Sequence, residues 1–243
     1  MNILVCISIV PDTTSKLAID SSTGKIDKKS LTMIVSPYDD YALSKAVEIK
    51  EANQGNITIL YIGDDVSSES IIRKCLAIGA DQAFRINTTP LSSKQVADEI
   101  VIFSKSRNFD LILMGKESID TNSGLVHRLV ASGLGYIHFN PVMNLNVISE
   151  NQLSIKVEVE NGTAELTVKL PAVLGCQEPI AEWKIPSMRG IMMARTKPFE
   201  ILESQIVSKL DHKEDIVVEK KRLQKIFKAD ELTEVVDIIN HLI

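Results

Sequence analysis

Membrane-length apolar runs, a basic surplus, paired cysteines and metal-ligand spacings are all missing from this sequence of 243 residues. Without about 20 consecutive apolar residues, no direct membrane insertion is expected. A formal net charge of -5 leaves no basic excess to neutralise phosphates, which argues against a general nucleic-acid binder. Cys6, Cys75 and Cys176 are scattered, odd in number and free of any CxxC pairing, so buried thiols in a reducing compartment, the cytoplasm, are expected. His127, His138, His212 and His241 have no metal-ligand spacing and read as surface or helix-face residues, with no metal implied. No GxSxG, Walker lysine loop or GxGxxG is present, and the turn after the first strand is Val10-Pro11-Asp12. Asp39 and Asp40 are adjacent on a helix, point in different directions and read as helix-start charge instead of an acid-base pair. No catalytic residue emerges, and neither an internal repeat nor a low-complexity tract is found.

What is present is an ordinary globular composition, 44% apolar and 24% charged, long enough for one well-buried core with or without an appended lobe. The run Ile3 to Val10 has no positive residue before it and is cut by Pro11-Asp12, so it reads as a first strand and not as a signal peptide. Asp20 to Lys29 reads as a polar excursion. Ser36-Pro37-Tyr38-Asp39-Asp40 starts a helix buried through Ala42, Leu43, Ala46, Val47 and Ile49. Strands over Ile57 to Ile62 and Gln82 to Ile86 alternate with helices over Ser67 to Ile78 and Ser92 to Arg107. Asp110 then opens the apolar run Leu111 to Met114, a strand buried on both faces and ended by Gly115. A polar loop leads to a helix with Leu125, Val126, Leu129, Val130 and Leu134 at helical spacing.

Strands alternating with helices predict a doubly wound α/β fold with a mostly parallel sheet. Val142 to Val147, Gln152 to Val159, Glu165 to Leu170 and Ala172 to Gly175 read as antiparallel edge strands, with a hairpin turn at Asn161-Gly162. Residues 1–200 are expected to form a nucleotide-binding domain. Residues 201–243 form an extended tail, closed by a helix whose stripe of Leu232, Val235, Val236, Ile239 and Leu242 needs a cover from its own domain or another chain. In an open parallel sheet, ligands lie beyond the carboxyl ends of the strands, and the free N–H groups of a helix start suit a phosphate. That points to the loop between Gly115 and Leu125, although most strand-loop-helix units bind nothing.

Several segments together carry a resemblance. They are Val10-Pro11-Asp12, Ser36-Pro37-Tyr38, Leu76-Ala77-Ile78-Gly79-Ala80-Asp81, and Asp110 through Lys116 to Asp120; then Lys169-Leu170-Pro171-Ala172-Val173, Glu182, and Pro186 through Ala194. In this order and spacing the chain resembles the beta subunit of electron transfer flavoprotein over most of its length. The resemblance implies a heterodimeric electron carrier that is not itself an enzyme. Its alpha subunit holds most of the FAD, and AMP is bound in the beta subunit. Electrons come from dehydrogenases, such as the acyl-CoA dehydrogenases of fatty acid oxidation, and go to a quinone oxidoreductase or another acceptor. It places cofactor contacts at Cys6, Ser8, Ser36, Tyr38, Ile62, Gly63, Asp120, Asn122, Ser123, Gly124, Leu125 and Val126, with Tyr38 either near the flavin or packing at a helix start. Missing catalysts agree with this, since a flavin supplies the redox chemistry.

The sequence departs from the family at Ser36, usually Asn, at Leu125, His127 and Arg128, usually small residues or Gln, and at Trp183 and Lys184. The acidic Gly-rich loop of electron-bifurcating relatives is absent, so AMP and not a second FAD is expected. The segment between Pro186 and Pro198 sets Met188, Ile191, Met192 and Met193 among Arg189, Arg195 and Lys197; it is read as irregular, and either caps the sheet or forms an adaptable binding surface. By resemblance it docks dehydrogenases through Met188 as anchor, with Arg189, Ile191, Met192 and Arg195 around it. The alternative is a stand-alone adenine-nucleotide-binding regulatory module of the same fold.

Overall fold

The computed structural model describes residues 1–15, 18, 27, 31–206, 227–228 and 232–240. Along the chain run β1 (Asn2–Ile7), β2 (Ile9–Pro11), β3 (Met33–Val35), α1 (Pro37–Asn53), β4 (Asn56–Ile62), α2 (Ser68–Ile78), β5 (Gln82–Asn87), α3 (Ser93–Lys105), β6 (Leu111–Gly115) and α4 (Val126–Leu134). They are followed by β7 (Ile137–Ser149), β8 (Gln152–Val159), β9 (Gly162–Lys169), β10 (Ala172–Cys176), α5 (Met188–Ala194), β11 (Phe199–Glu203) and α6 (Leu232–Asn240).

The main sheet has nine strands in the order β11-β5-β4-β1-β6-β10-β7-β8-β9. Its pairs are parallel from β11 across to β7, and the last two, β7 with β8 and β8 with β9, are antiparallel. This is the doubly wound α/β fold that the alternation of elements predicts. β1 shows how the sheet is buried: Ile3, Val5 and Ile7 pack in the core beneath α1 and α2, while Leu4 and Cys6 join the opposite core under α3 and α4. Alternate side chains of a strand point to opposite faces, so a strand covered on both sides must be apolar throughout. From β1 the chain works outward through β4 and β5, then returns on α3 to place β6 on the other side of β1. That reversal opens a crevice at the carboxyl ends of β1, β4 and β6.

Four local expectations are corrected. Ala172 to Gly175 is not an antiparallel edge: β10 lies between β6 and β7, parallel to both, with every residue buried. The first strand breaks at Ser8, after which β2 pairs with β3 in a separate two-stranded sheet. The segment after Pro186 is helical as α5, capped by the Ser187 hydroxyl, which accepts from Gly190 N–H at 3.0 Å. Beyond Pro198 the chain adds β11, parallel to β5, at the start of what reads in sequence as tail. The excursion Asp20 to Lys29 lies outside the described residues except for Asp27, as does Leu242 of the terminal stripe. Ala18, Asp27 and α6 fall in a second, smaller unit of the chain. On α6 itself, Leu232, Val236, Ile238 and Ile239 are exposed.

Leu113, fully buried on β6 between β1 and β10, tests this core. Leu113→Ala is expected to cost about 2–5 kcal/mol in urea unfolding, the range for deleting a packed aliphatic side chain.

Candidate functional site

A cavity of about 840 Å³ occupies the crevice. The ends of β1, β4 and β6 form its floor through Cys6, Leu60, Ile62 and Met114, and the loops that follow them form its walls. Of the cofactor contacts expected from sequence, Cys6, Ser8, Ile62, Gly63, Asp120, Ser123, Gly124, Leu125 and Val126 line this one space. Ser36, Tyr38 and Asn122 do not. Ser36 is wholly buried, with an Oγ that finds no hydrogen-bond partner. Tyr38 packs at the start of α1 with the Lys116 ammonium 4.8 Å from its ring centroid. Asn122 bends the loop in a left-handed conformation, φ 48°, so α4 starts at Val126 and not near Asn122. The walls also include residues not among the expected contacts: Asp39, Glu117, His127 and the run Thr89 to Ser93.

Asp39 is the tie between the two central strands. β1 and β6 pair from Ile3 and Leu111 only as far as Val5 and Leu113, then part. Beyond that point the Asp39 carboxylate accepts Ser8 N–H at 2.7 Å with one oxygen and Gly115 N–H at 2.7 Å with the other. Two backbone donors that the sheet leaves unmatched are thereby satisfied. Gly115 allows the approach, because a Cβ there would lie 2.6 Å from Tyr38 Cβ and 2.9 Å from Asp39 N. Burial pushes the Asp39 carboxyl up to about 7, against the two N–H bonds that favour its ionised form. Burial likewise raises Asp40 to about 6.

A second tie joins the far wall. His127 is buried, and its Nε2 lies 2.8 Å from the carbonyl oxygen of Lys116, which can only accept. Nε2 therefore carries the proton and Nδ1 is left as an acceptor, filled by His138 Nε2–H at 2.8 Å. The rings are within 9° of parallel. The pair links the loop after β6, the start of α4 and the start of β7. Burial lowers His127 and pushes His138 down to about 4, where the neighbouring His127 adds to the effect. Among the described residues no group of His, Cys, Asp and Glu could hold a metal.

Outside the cavity, α5 is mounted on α2 by backbone atoms. Arg73 Nη1 donates to the carbonyls of Ala194 and Lys197, both at 3.0 Å, and Lys197 Nζ donates to those of Leu76 at 2.8 Å and Ala80 at 2.6 Å. At Gly190 a Cβ would collide with the Ala77 carbonyl oxygen. The segment leading into α5 is held to α1: Lys184 N–H donates to Ser44 Oγ at 3.1 Å and its ammonium lies 3.0 Å from Glu51. Between these anchors the apolar side chains stand clear. Ile185 is 86% exposed, Met188 79%, Met192 71% and Met193 50%, with Trp183 and Ile191 exposed beside them. Arg189 and Arg195 are exposed as well. Ile185 was not singled out in the sequence, where an isoleucine before a proline gives no sign that it will protrude.

The family model of the electron transfer flavoprotein domain matches residues 23–206. The chain belongs to the electron transfer flavoprotein family. It is 32% identical to the electron transfer flavoprotein subunit beta of Bacillus subtilis over 207 residues, 84% of this chain and 79% of that one. It is also 32% identical to the subunit of the same name from Syntrophomonas wolfei over 201 residues, 82% of this chain and 78% of that one. The caffeyl-CoA reductase-Etf complex subunit CarD of Acetobacterium woodii is 30% identical over 206 residues, covering 83% and 78%. No helix among the described residues is long and apolar enough to cross a membrane.

For an electron transfer flavoprotein chain, the cavity fits an adenine nucleotide. Leu60, Ile62, Val96, Ile100 and Met114 offer an apolar slot, and Ser8, Ser92, Ser93, Ser118 and Ser123 offer hydroxyls. Two helix starts face it. The Ser92 hydroxyl caps α3, accepting Gln95 N–H at 3.2 Å, and Ser93 Oγ lies 3.3 Å from Ser123 Oγ in the loop that opens α4. Neither Lys nor Arg lines the cavity among the described residues, so a phosphate there would depend on backbone N–H groups and hydroxyls. The acids nearby are partly occupied, Asp64 by Thr89 at 2.5 Å and Asp120 by Ser118 at 2.6 Å.

Removing the first tie by Asp39→Ala leaves two N–H groups without their acceptor and is expected to destabilise the fold by on the order of 3 kcal/mol in chemical unfolding. The two ties also oppose each other in pH. Asp39 has a folded pKa of about 7 against 3.8 unfolded, so the native state holds the extra proton between them and stability falls as pH rises through that window. His138 has a folded pKa of about 4 against 6.5, so the unfolded state holds the extra proton and stability is lost as pH falls toward 4. From pH 4 to 7, Asp39→Asn should turn the slope of stability against pH more positive, and His138→Gln should turn it more negative. Slopes identical to the parent in both variants would contradict the assignment.

Proposed function

We propose that this chain is the beta subunit of a heterodimeric electron carrier that takes electrons from dehydrogenases, acyl-CoA dehydrogenases among them, and delivers them to a quinone oxidoreductase or another acceptor. The observation that carries this reading is the family match over residues 23–206, which takes in β4, β6, α3 and α4 around the crevice. Within the pair the alpha subunit holds most of the FAD, which supplies the redox chemistry. This chain binds AMP through Cys6, Ser8, Ile62, Gly63, Asp120, Ser123, Gly124, Leu125 and Val126, while Tyr38 stands near the flavin and Asn122 shapes the loop. Its residues bind and position, and no proton transfer on a substrate is asked of them. The compartment is the cytoplasm, in keeping with three buried free thiols.

The chain through β11 acts as the nucleotide-binding domain, and the part beyond it wraps on the alpha subunit. The exposed Leu232, Val236, Ile238 and Ile239 of α6 supply an apolar face for that contact. Dehydrogenases dock on α5, with Met188 as anchor, Ile191 and Met192 beside it, and Arg189 and Arg195 orienting an acidic partner. The protruding Ile185 belongs to the same surface.

Three measurements test this. The isolated chain is expected to bind flavin poorly, and stoichiometric FAD on the monomer would overturn the heterodimer. Denaturing the purified heterodimer should release an adenylate, and finding none would remove AMP from the cavity. Met188→Ala and Ile185→Ala, at sub-saturating carrier, should each slow electron transfer from the dehydrogenase while flavin content and fold are kept. Truncating a central anchor commonly costs about 2 kcal/mol or more, and unchanged kinetics in both variants would return α5 to a purely structural role.

A further inference from the structure

The chain has seven methionines and three cysteines. All three thiols are buried. Of the methionines, Met114 is buried on β6, and Met1, Met33 and Met143 are half-buried. The remaining three, Met188, Met192 and Met193, are exposed, and all three lie on α5. Reactive sulfur accessible to solvent is thus concentrated on one helix of seven residues.

Thioether oxidation follows exposure, because the oxidant must reach the sulfur lone pair. Buried cysteines are poor competitors, since the thiolate is the reactive form and burial disfavours it: Cys6, Cys75 and Cys176 are all pushed upward, first of all by desolvation. The helix can also tolerate the change without unfolding. Its attachment to α2 runs through Arg73, Lys197, Gly190 and the buried Ala194, and none of the three thioethers takes part in those bonds.

We propose that Met188, Met192 and Met193 form an oxidation site through which hydroperoxides switch off docking at α5. The inference rests on the docking role given to α5 above. In each event the sulfur lone pair attacks one oxygen of the peroxide. A sulfur–oxygen bond forms as the oxygen–oxygen bond breaks, and the leaving oxygen takes the proton and departs as water or an alcohol. Sulfur loses two electrons and the peroxide gains them. The product is a polar, chiral sulfoxide where an apolar, flexible side chain stood, and an apolar partner pocket would have to desolvate it without a compensating bond. Methionine sulfoxide reductases reverse the step, which makes the site recoverable.

The test uses the purified heterodimer, treated with hydrogen peroxide and then cleared by catalase before any dehydrogenase is added. Peptide mass spectrometry should find oxygen added at Met188, Met192 and Met193 before Met1, Met33, Met114, Met143 or any cysteine of this chain. Electron transfer at sub-saturating carrier should fall at least about tenfold, a typical loss on spoiling an interface anchor, and reductase treatment should restore it. A Met188→Leu/Met192→Leu/Met193→Leu variant, compared with its own untreated rate, should lose no further transfer on peroxide, although its alpha subunit is oxidised alongside. The inference is overturned if other sulfurs of this chain oxidise first, if the three sulfoxides form with transfer unchanged, or if the leucine variant is inhibited as strongly as the parent. Met188→Ala and Ile185→Ala, untreated, separate the two readings: impaired transfer in either one together with peroxide-insensitive parent protein rejects the oxidation site alone, and unimpaired transfer in both rejects the docking role beneath it.

Discussion

The carboxylate of Asp39 stands where the two central strands separate, and it holds their ends at the mouth of the crevice that the reversal of strand order opens. A parallel sheet that kept β1 and β6 paired to their ends would leave no opening between them. One that parted them without replacement would bury unmatched N–H groups on Ser8 and Gly115, each costing on the order of 1–3 kcal/mol. Asp39 solves both by bonding to both strands at once from the first turn of α1. The negative charge also sits at a helix start, where the peptide dipoles favour it. The same placement obliges a burial that raises its pKa to about 7, against the two N–H bonds that favour the ionised form.

The opposite wall relies on a neutral link. The His127–His138 pair holds the Lys116 carbonyl and so fixes the loop that leads to the start of α4. One wall is tied by an acid whose burial favours the proton, the other by imidazoles whose burial rejects it. Helix starts and hydroxyls fill the space between, an arrangement suited to a ligand recognised by directed N–H groups more than by ionic attraction.

Much of the fold was legible because parallel strands are short, apolar and punctuated. Leu111 to Met114, bounded by Asp110 and Gly115, is such a unit, and so is Ile57 to Ile62. The misplacement of Ala172 to Gly175 came from reading order along the chain as order across the sheet; the lack of any polar alternation in the segment was the signal of an interior position. β11, with sequence Phe-Glu-Ile-Leu-Glu, is short, carries two glutamates and has mostly exposed side chains, so little announces it. The segment of α5 reads as irregular because it is flanked by Pro186 and Pro198 and mixes methionines with Arg189, Arg195 and Lys197; the signal for the helix is the cap that Ser187 provides. Within the crevice, local motifs exposed the backbone loops and concealed the long-range ties. Asp39 looks like any acid at a helix start until Gly115, 76 positions away, is seen beside it. His127 and His138 meet only because α4 turns the chain back between them.

The anchors of α5 carry an implication for how this surface can change over time. Arg73 and Lys197 grip main-chain carbonyls, and Gly190 packs against another, so the bonds that hold the helix in place do not depend on which residues its outer face presents. Replacing an outward methionine or arginine alters the chemistry of the surface and leaves its mounting untouched. Folding and the chemistry of the exposed face are thereby subject to separate selection, and the outer face of α5 can change without the chain passing through an unstable protein.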